Sequence, residues 1–348
     1  MDTAKKNYWK PALFKNSTGE QRRVGFELEF GNLTVRETAK ALQNSIGGNI
    51  QENNPFYFEI INSSVGKLKI ERDAELLKSV KYRELLSKIN VDFNLDILVR
   101  EIEQGVDSLS SFLIPCEIVT EPLTFREFPR INDMVKVLNS LKAKGTQDSI
   151  FYAFGLHMNP SVPDLNIKTL VTYMQSFLLL ADWIIEDARI DFSRRFFTSF
   201  IDPFPNSYVE KVLDPNYDST VETFIDDYLE FNPSRNRALD LLPVLCEIDM
   251  EKVLAGVKTE ERSLVNGRPA FHYRLPDCRL GDDKWSIADE WNRWWYVETI
   301  SSDNNLRAKL MALWGKNKKQ FFMTRKKQWI DTVKDFLNRY ISIPDNRS

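Results

Sequence analysis

Gly25-Phe26-Glu27-Leu28-Glu29-Phe30 is the stretch whose reading decides the fold of this chain. Phe26, Leu28 and Phe30 alternate with Glu27 and Glu29, the period of two that belongs to a half-buried strand. One face of that strand is greasy and the other carries two carboxylates. The pattern returns downstream with complementary polar residues. Cys116-Glu117-Ile118-Val119-Thr120-Glu121-Pro122 is a β-rich run opened by an acid. Gly155-Leu156-His157-Met158-Asn159-Pro160 sets His157 and Asn159 against Leu156 and Met158, and Phe271-His272-Tyr273-Arg274-Leu275-Pro276 sets His272 and Arg274 against apolar neighbours. These strands would offer acids, imidazoles and a guanidinium to one shared sheet face, a set suited to a metal–phosphate site.

A chain of 348 residues can bury a large core, as one big domain or two ordinary ones. Its 43% hydrophobic and 28% charged residues are those of a soluble globular protein. A net charge of −3 with no long basic stretch argues against a nucleic-acid surface. Lys316, Lys318, Lys319, Arg325, Lys326 and Lys327 form a modest basic patch that reads as a solvated helix face. The cysteines Cys116, Cys246 and Cys278 lie far apart without a C-x-x-C pair, so neither a disulfide framework nor a thiolate zinc site is indicated. A reducing, cytoplasmic setting fits this usage. Met1 to Lys6 lacks the apolar segment of a signal peptide. Phe177 to Ile185, interrupted by Asp182, falls far short of the ~20 residues of a membrane span and is expected to be a core helix.

Residues 1–20 are polar and read as an extended arm. Residues 21–345 read as one catalytic domain, because candidate residues from Glu27 to Arg274 must return to one place. Thr34-Val35-Arg36-Glu37 has the form of a capping box, and Gly47-Gly48 would stop the helix it opens. Phe56–Ile61 and Lys67–Glu71 read as a hairpin, and residues 74–112 as helices or an excursion. Pro129 would begin a helix running to Gly145. Residues 165–260 read as a mostly helical insert broken by Pro203, Pro205, Pro215 and Pro233. The spacing of Leu239, Leu242 and Leu245 predicts one of its helices. Two amphipathic helices are expected around Trp291–Val297 and Trp329–Tyr340.

Paired acids at Glu27 and Glu29 suit hard cations, which take oxygen ligands from one or two carboxylates plus phosphate. Glu117 and Asp73 can complete such a pair of sites, although Asp73 also reads as a turn or helix cap. His157 and His272 are the only histidines, and both fall on the polar phase of a strand. Asn159 could donate to a phosphate or ribose oxygen. Arg274 supplies a planar, permanently charged guanidinium for a transferring phosphoryl group. Arg235 and Arg237 read equally as phosphate contacts or as a solvated helix start. No P-loop or GxGxxG occurs, and no nucleophile sits in a recognisable elbow. The tryptophans read as packing.

The ordered set Gly25–Phe30, Asp73, Glu117–Leu123, Gly155–Asn159 and His272–Leu275 resembles the amidoligase family of the carboxylate–amine ligases, the group of glutamate–cysteine ligase and glutamine synthetase. The resemblance implies an α+β fold whose curved, mainly antiparallel sheet lines an active-site cup backed by helices. It implies ATP and Mg²⁺ or Mn²⁺ in the cup, and a small-molecule or peptide substrate carrying carboxylate and amine. Glu27 and Glu29 match the paired acids of the first strand, Glu117 the acid of a Glu-Ile-Val-Ser/Thr run, and Asp73 an acid preceding it. His157 matches the first histidine of a His-x-His pattern, Arg274 the arginine of a late Glu-x-Arg pair, and Arg237 an upstream phosphate-binding arginine. Asn159 and His272 depart from the pattern, standing where a histidine and a glutamate are usual. Imidazole suits Mn²⁺ or Zn²⁺ better than Mg²⁺. The implied function is an ATP-dependent ligase acting through an acyl phosphate. The alternatives are a non-catalytic nucleotide- or peptide-binding descendant and a metal-dependent amide hydrolase.

Overall fold

The alternation around Gly25 becomes β1 (Arg23–Phe30), a central strand with neighbours on both sides. The protein is seen here as a computed structural model that describes residues 7–72, 115–146, 154–190, 201–318 and 322–344. Asp73 and the 74–112 stretch lie outside the described residues. The other strands are β2 (Asn49–Asn54), β3 (Tyr57–Ser63), β4 (Gly66–Arg72), β5 (Cys116–Thr120), β6 (Leu123–Thr124), β7 (Leu156–Pro160), β8 (Leu239–Asp240) and β9 (His272–Tyr273). They form one open sheet in the order β2-β3-β4-β5-β1-β7-β9-β8, with β6 paired to the start of β1. Every strand pairing among the described residues is antiparallel. The architecture is α+β.

One face of the sheet is apolar and covered. Phe26, Leu28, Phe30, Phe58, Ile60, Leu68, Ile70, Ile118, Leu156, Met158 and Tyr273 are all buried there. Helix α1 (Val35–Ile46) begins at a true capping box between Thr34 and Glu37 and buries Val35, Thr38, Ala39, Leu42 and Ile46 on one stripe. Gly47 follows with φ of 73°, and Gly48 with φ of 92°. A Cβ on Gly48 would stand 2.6 Å from the Ile61 carbonyl oxygen, so glycine is required there. A 3₁₀ turn over Phe125–Arg130 leads into α2 (Ile131–Ser140), and its Phe128 packs edge-on against Phe26.

The long apolar helix is α3 (Ile167–Asp187), the core helix expected from Phe177 to Ile185. It lies beneath β9, where Phe177 meets Tyr273. Next come α4 (Asn206–Val212), α5 (Val221–Phe231), α6 (Leu242–Ile248) and α7 (Met250–Gly256). The chain closes with α8 (Ile287–Ser302), α9 (Asn304–Asn317) and α10 (Phe322–Tyr340). Trp294 of α8 packs on Tyr273, and Trp329 of α10 donates to the Leu179 carbonyl of α3. The tryptophans therefore do pack the core. No helix among the described residues is long and apolar enough to cross a membrane.

One strand was not foreseen and three local expectations are corrected. Asn49–Asn54 is a strand the sequence hides, because an edge strand exposed on both faces shows no alternation. Leu239 is not helical: it pairs with Tyr273, and the helix begins three residues later at Leu242. The helix expected to reach Gly145 stops at Ser140, where Lys142 turns left-handed. The N-terminal segment is extended but tied down, since Trp291 and Trp295 of α8 donate to the carbonyls of Trp9 and Lys10. In the basic patch, Lys318 pairs with Glu210 and Lys326 with Asp182, as a solvated face would.

Candidate active site

Register builds the polar face. Glu27 stands opposite His157 on one side and Val119 on the other, and Gly25 opposite Asn159. Glu29 stands opposite Glu117, which itself stands opposite Glu71, so three carboxylate positions cross β1, β5 and β4 in one row. On the far side β7 pairs β9 and β9 pairs β8, with His272 opposite Asp240. A slip of one residue in any ladder would send these groups into the helical layer and the aromatic rings into water. Burial of the apolar face thus fixes the geometry of the polar one.

The side chains converge. Glu27 Oε2 lies 3.0 Å from His157 Nδ1, and its Oε1 accepts a 2.6 Å bond from the Asn159 amide. His157 Nε2 is 3.8 Å from Glu29 Oε1, and Glu29 also accepts a 2.7 Å bond from the Gly155 backbone N–H. The two imidazole rings meet edge-on with centroids 5.3 Å apart. His272 Nδ1 is 3.3 Å from Asp240 Oδ2, while its Nε2, 3.9 Å from Glu27 Oε2, has no hydrogen-bond partner. Glu27, His157 and His272 form one trio with ligand atoms within 4.8 Å of one another, and Glu29, Glu117 and His157 form a second. This donor chemistry fits divalent cations: carboxylate oxygens, imidazole nitrogens and a buried nitrogen left without a partner.

Two guanidiniums border the cluster. Arg268 donates to Asn159 Oδ1 at 3.1 Å, so the Asn159 amide bridges Arg268 to Glu27. Arg274 is largely buried and donates to the Arg235 carbonyl at 2.5 Å. Burial alone would raise the Glu27 carboxyl, but the His157 hydrogen bond and electrostatic coupling to His272, His157 and Arg268 hold it well below the usual carboxylate range. Burial pushes His272 down to about 4, against the opposing pull of Asp240 and Glu27, so its ring is neutral at pH 7. Arg274 is lowered by burial, offset by the charge of Asp240, and remains a cation.

The structure thus brings Glu27, Glu29, Glu117, His157, Asn159 and His272 to one face. Arg274 alternates with His272 on the same chain and lies within electrostatic reach of Asp240, Glu29 and Glu27. Arg237 is not brought there. It falls in the phase of Leu239, toward the helices, and donates to the Pro203 and Phe231 carbonyls. The neighbour of Arg274 is Arg235. Asn159 donates to Glu27 and accepts from Arg268, bracing the two.

Sequence reasoning missed Asp240, Arg268 and Glu71. Asp240 hides in a two-residue strand, too short to show a period. Arg268 lies in a loop and carries no periodic signal. Glu71 was legible in principle, because Lys67, Lys69 and Glu71 alternate with buried Leu68 and Ile70. A cavity of about 510 Å³ lies apart from this cluster, lined by Phe177, Ile185, Phe204, Trp314 and Trp329 of the helical layer.

No curated protein and no solved structure matches the chain. A family model does: the one described as "Putative amidoligase enzyme" matches residues 20–296. That span begins just before β1 and ends within α8, and so takes in every strand of the sheet and both imidazoles of the cluster. A sheet whose polar face is built from paired acids, two histidines and flanking guanidiniums is therefore matched along its whole length, and the chain belongs to the amidoligase family.

Proposed function

We propose that this protein is an ATP-dependent, ADP-forming carboxylate–amine ligase acting on an amino acid or peptide. A substrate carboxylate oxygen attacks the γ-phosphorus of ATP, the bond to the β-phosphate oxygen breaks, and ADP leaves an acyl phosphate. An amine then attacks the acyl carbon, the bond to the phosphate oxygen breaks, and the nitrogen releases a proton to give an amide or isopeptide. Mg²⁺ or Mn²⁺, when bound, supplies charge neutralisation for the polyphosphate. Glu27, Glu29, Glu117, His157 and His272 are the residues that would hold such ions.

The chain's own contribution is positioning. Arg274, with the Arg235 carbonyl fixing one of its nitrogens, presents a cation that cannot give up its proton to the moving phosphoryl group. Arg268, braced by Asn159, adds a second cation beside Glu27. The row of Glu29, Glu117 and Glu71 repels free anions, so a polyphosphate would enter together with its cation. The observation that carries this reading is the meeting of Glu27, His157 and His272 from three strands within 4.8 Å.

A screen of amino acids and peptides for stimulated phosphate release identifies a substrate pair, and phosphorus NMR of that reaction tests the chemistry. ADP and phosphate are expected. AMP and pyrophosphate would overturn the acyl-phosphate route, amide cleavage without nucleotide would make the protein a hydrolase, and ATP binding without turnover would make it a binding scaffold.

A further inference from the structure

We propose that the two halves of the cluster sort cations by hardness. The Glu27–His157–His272 trio takes a borderline transition ion of the Mn²⁺, Co²⁺ or Zn²⁺ class, and the Glu29–Glu117 side takes Mg²⁺. Asp240 is the positioning residue that makes the first of these selective. The inference rests on the metal-binding part of the proposed function and adds to it which ion goes where.

One buried imidazole nitrogen in the cluster is left without a partner. His272 is 2% exposed, and its Nε2 has no hydrogen-bond partner. A buried polar atom left so costs stability unless something meets it. Its other nitrogen faces Asp240 Oδ2 at 3.3 Å, and that aspartate is fully buried. A carboxylate accepts only, so Nδ1 carries the proton and Nε2 presents its lone pair toward Glu27, 3.9 Å away. A carboxylate behind an imidazole, with the far nitrogen left free, is the arrangement that orients histidines for metal and raises their basicity as ligands. Here the fold has supplied it at the dry end of the cluster.

The two trios differ in donor type. One combines two imidazoles with one carboxylate, and the other combines two carboxylates with one imidazole. Imidazole suits ions of the Zn²⁺, Mn²⁺ and Co²⁺ kind, whereas Mg²⁺ wants oxygen. Register extends the oxygen-rich side, since Glu71 stands opposite Glu117 in the next strand. Environment explains why His272 is not an acid. A third carboxylate between Asp240 and Glu27 would gather three negative charges in a place that water barely reaches, and a neutral ring avoids that repulsion.

The test uses the full-length protein stripped of metal by chelation, with Co²⁺ alone as the probe and no nucleotide present. Visible absorption of bound Co²⁺ reports, in band position and intensity, the donors and geometry at the ion independently of activity. We expect an intense band at one equivalent, displaced by Zn²⁺ and left in place by about 100-fold more Mg²⁺. Asp240→Asn should weaken Co²⁺ binding by roughly 10- to 100-fold. His272→Glu should move the spectrum toward an all-oxygen form and let Mg²⁺ compete, and it keeps the test alive should the aspartate variant fail to fold. An unchanged band in His272→Glu overturns the proposal, as does Mg²⁺ displacing Co²⁺ equally from the unsubstituted protein. ATP binding measured in parallel separates the two claims. No band in the unsubstituted protein with ATP turnover intact sinks the cation sorting alone, and a His272-dependent band without ATP binding supports the sorting while removing the ligase.

Discussion

Glu27 and His157 face each other across the β1–β7 ladder with Oε2 and Nδ1 3.0 Å apart, and everything else in the cluster is arranged around that pair. Asn159 takes the other oxygen of Glu27, His272 approaches the same Oε2, and Arg268 supports Asn159. Replacing Glu27 by glutamine keeps the shape and removes the charge. Glu27→Gln should lose metal-dependent ATP binding in calorimetry and lower phosphate release by at least the roughly 10- to 100-fold attached to a supporting group. Circular dichroism should stay that of the unsubstituted protein. Turnover at the original rate would remove Glu27 from the reaction.

The two arginines carried over from the family pattern should separate. Arg274→Lys replaces a fork by a point charge beside the cluster and is expected to cut turnover while the fold persists. Arg237→Met should leave turnover nearly unchanged and destabilise the fold by about 1–3 kcal/mol, because the carbonyls of Pro203 and Phe231 lose their donor. Urea midpoints and steady-state rates on both variants check this. A rate defect in Arg237→Met with unchanged stability would reverse the assignment.

Far from the cluster, Glu290 gives the protein a pH signature. It is 2% exposed, accepts from Trp285 Nε1, and lies 3.0 Å from Arg293 Nη1. Burial raises its carboxyl to about 7, more than Arg293 lowers it. The folded state therefore holds this proton more tightly than the unfolded one between about 4.5 and 7, and its contribution to stability falls as pH rises through that window. At about 1.4 kcal/mol per pH unit the loss approaches about 3 kcal/mol. Glu290→Gln should flatten the decline, so that the variant gains on the original protein from pH 5 to 7 and no further above it. Parallel stability curves for the two proteins would refute this.

Arg22 and Glu298 form a buried bidentate pair, 2.8 Å on each arm, with the Tyr173 hydroxyl and Trp294 Nε1 also donating to the carboxylate. The pair joins the segment entering β1 to α3 and α8. Arg22→Met leaves Glu298 buried and uncompensated and should cost about 3–5 kcal/mol, whereas replacing both partners by apolar residues should cost less than that. Denaturation of the single and double variants decides it. A double variant weaker than Arg22→Met would mean that the pair stabilises the fold outright.

How far the sequence announces this molecule depends on how each residue is covered. β1, β5 and β7 were legible because each has one face buried against aromatic and aliphatic side chains, which writes a period of two into the chain. The helix at Thr34 was legible from its cap. β2 was not, since only Ile50 gains shelter there and an edge strand needs no apolar phase. Leu239 misled because its spacing to Leu242 and Leu245 imitates a helix, while tertiary pairing with Tyr273 holds it extended. Glu27, Glu29, Glu117, His157 and His272 could be read from phase alone. Arg268 and Asp240 could not, because a loop and a two-residue strand are placed by the fold around them.

The central place of β1 has a consequence for how this protein is made. β1 comes before the other described strands in the chain, yet its long-range partners are Cys116–Thr120 and Leu156–Pro160. At roughly 5–20 residues per second, on the order of 4–17 seconds of translation pass between Phe30 and Cys116. Throughout that interval neither β5 nor β7 is present to pair with β1, although β2, β3 and β4 emerge during it, and both edges of the strand lie open to any other extended chain. A chain cut short before residue 272 lacks the imidazole that faces Glu27 from β9, so it would carry the adhesive strand with its cluster incomplete.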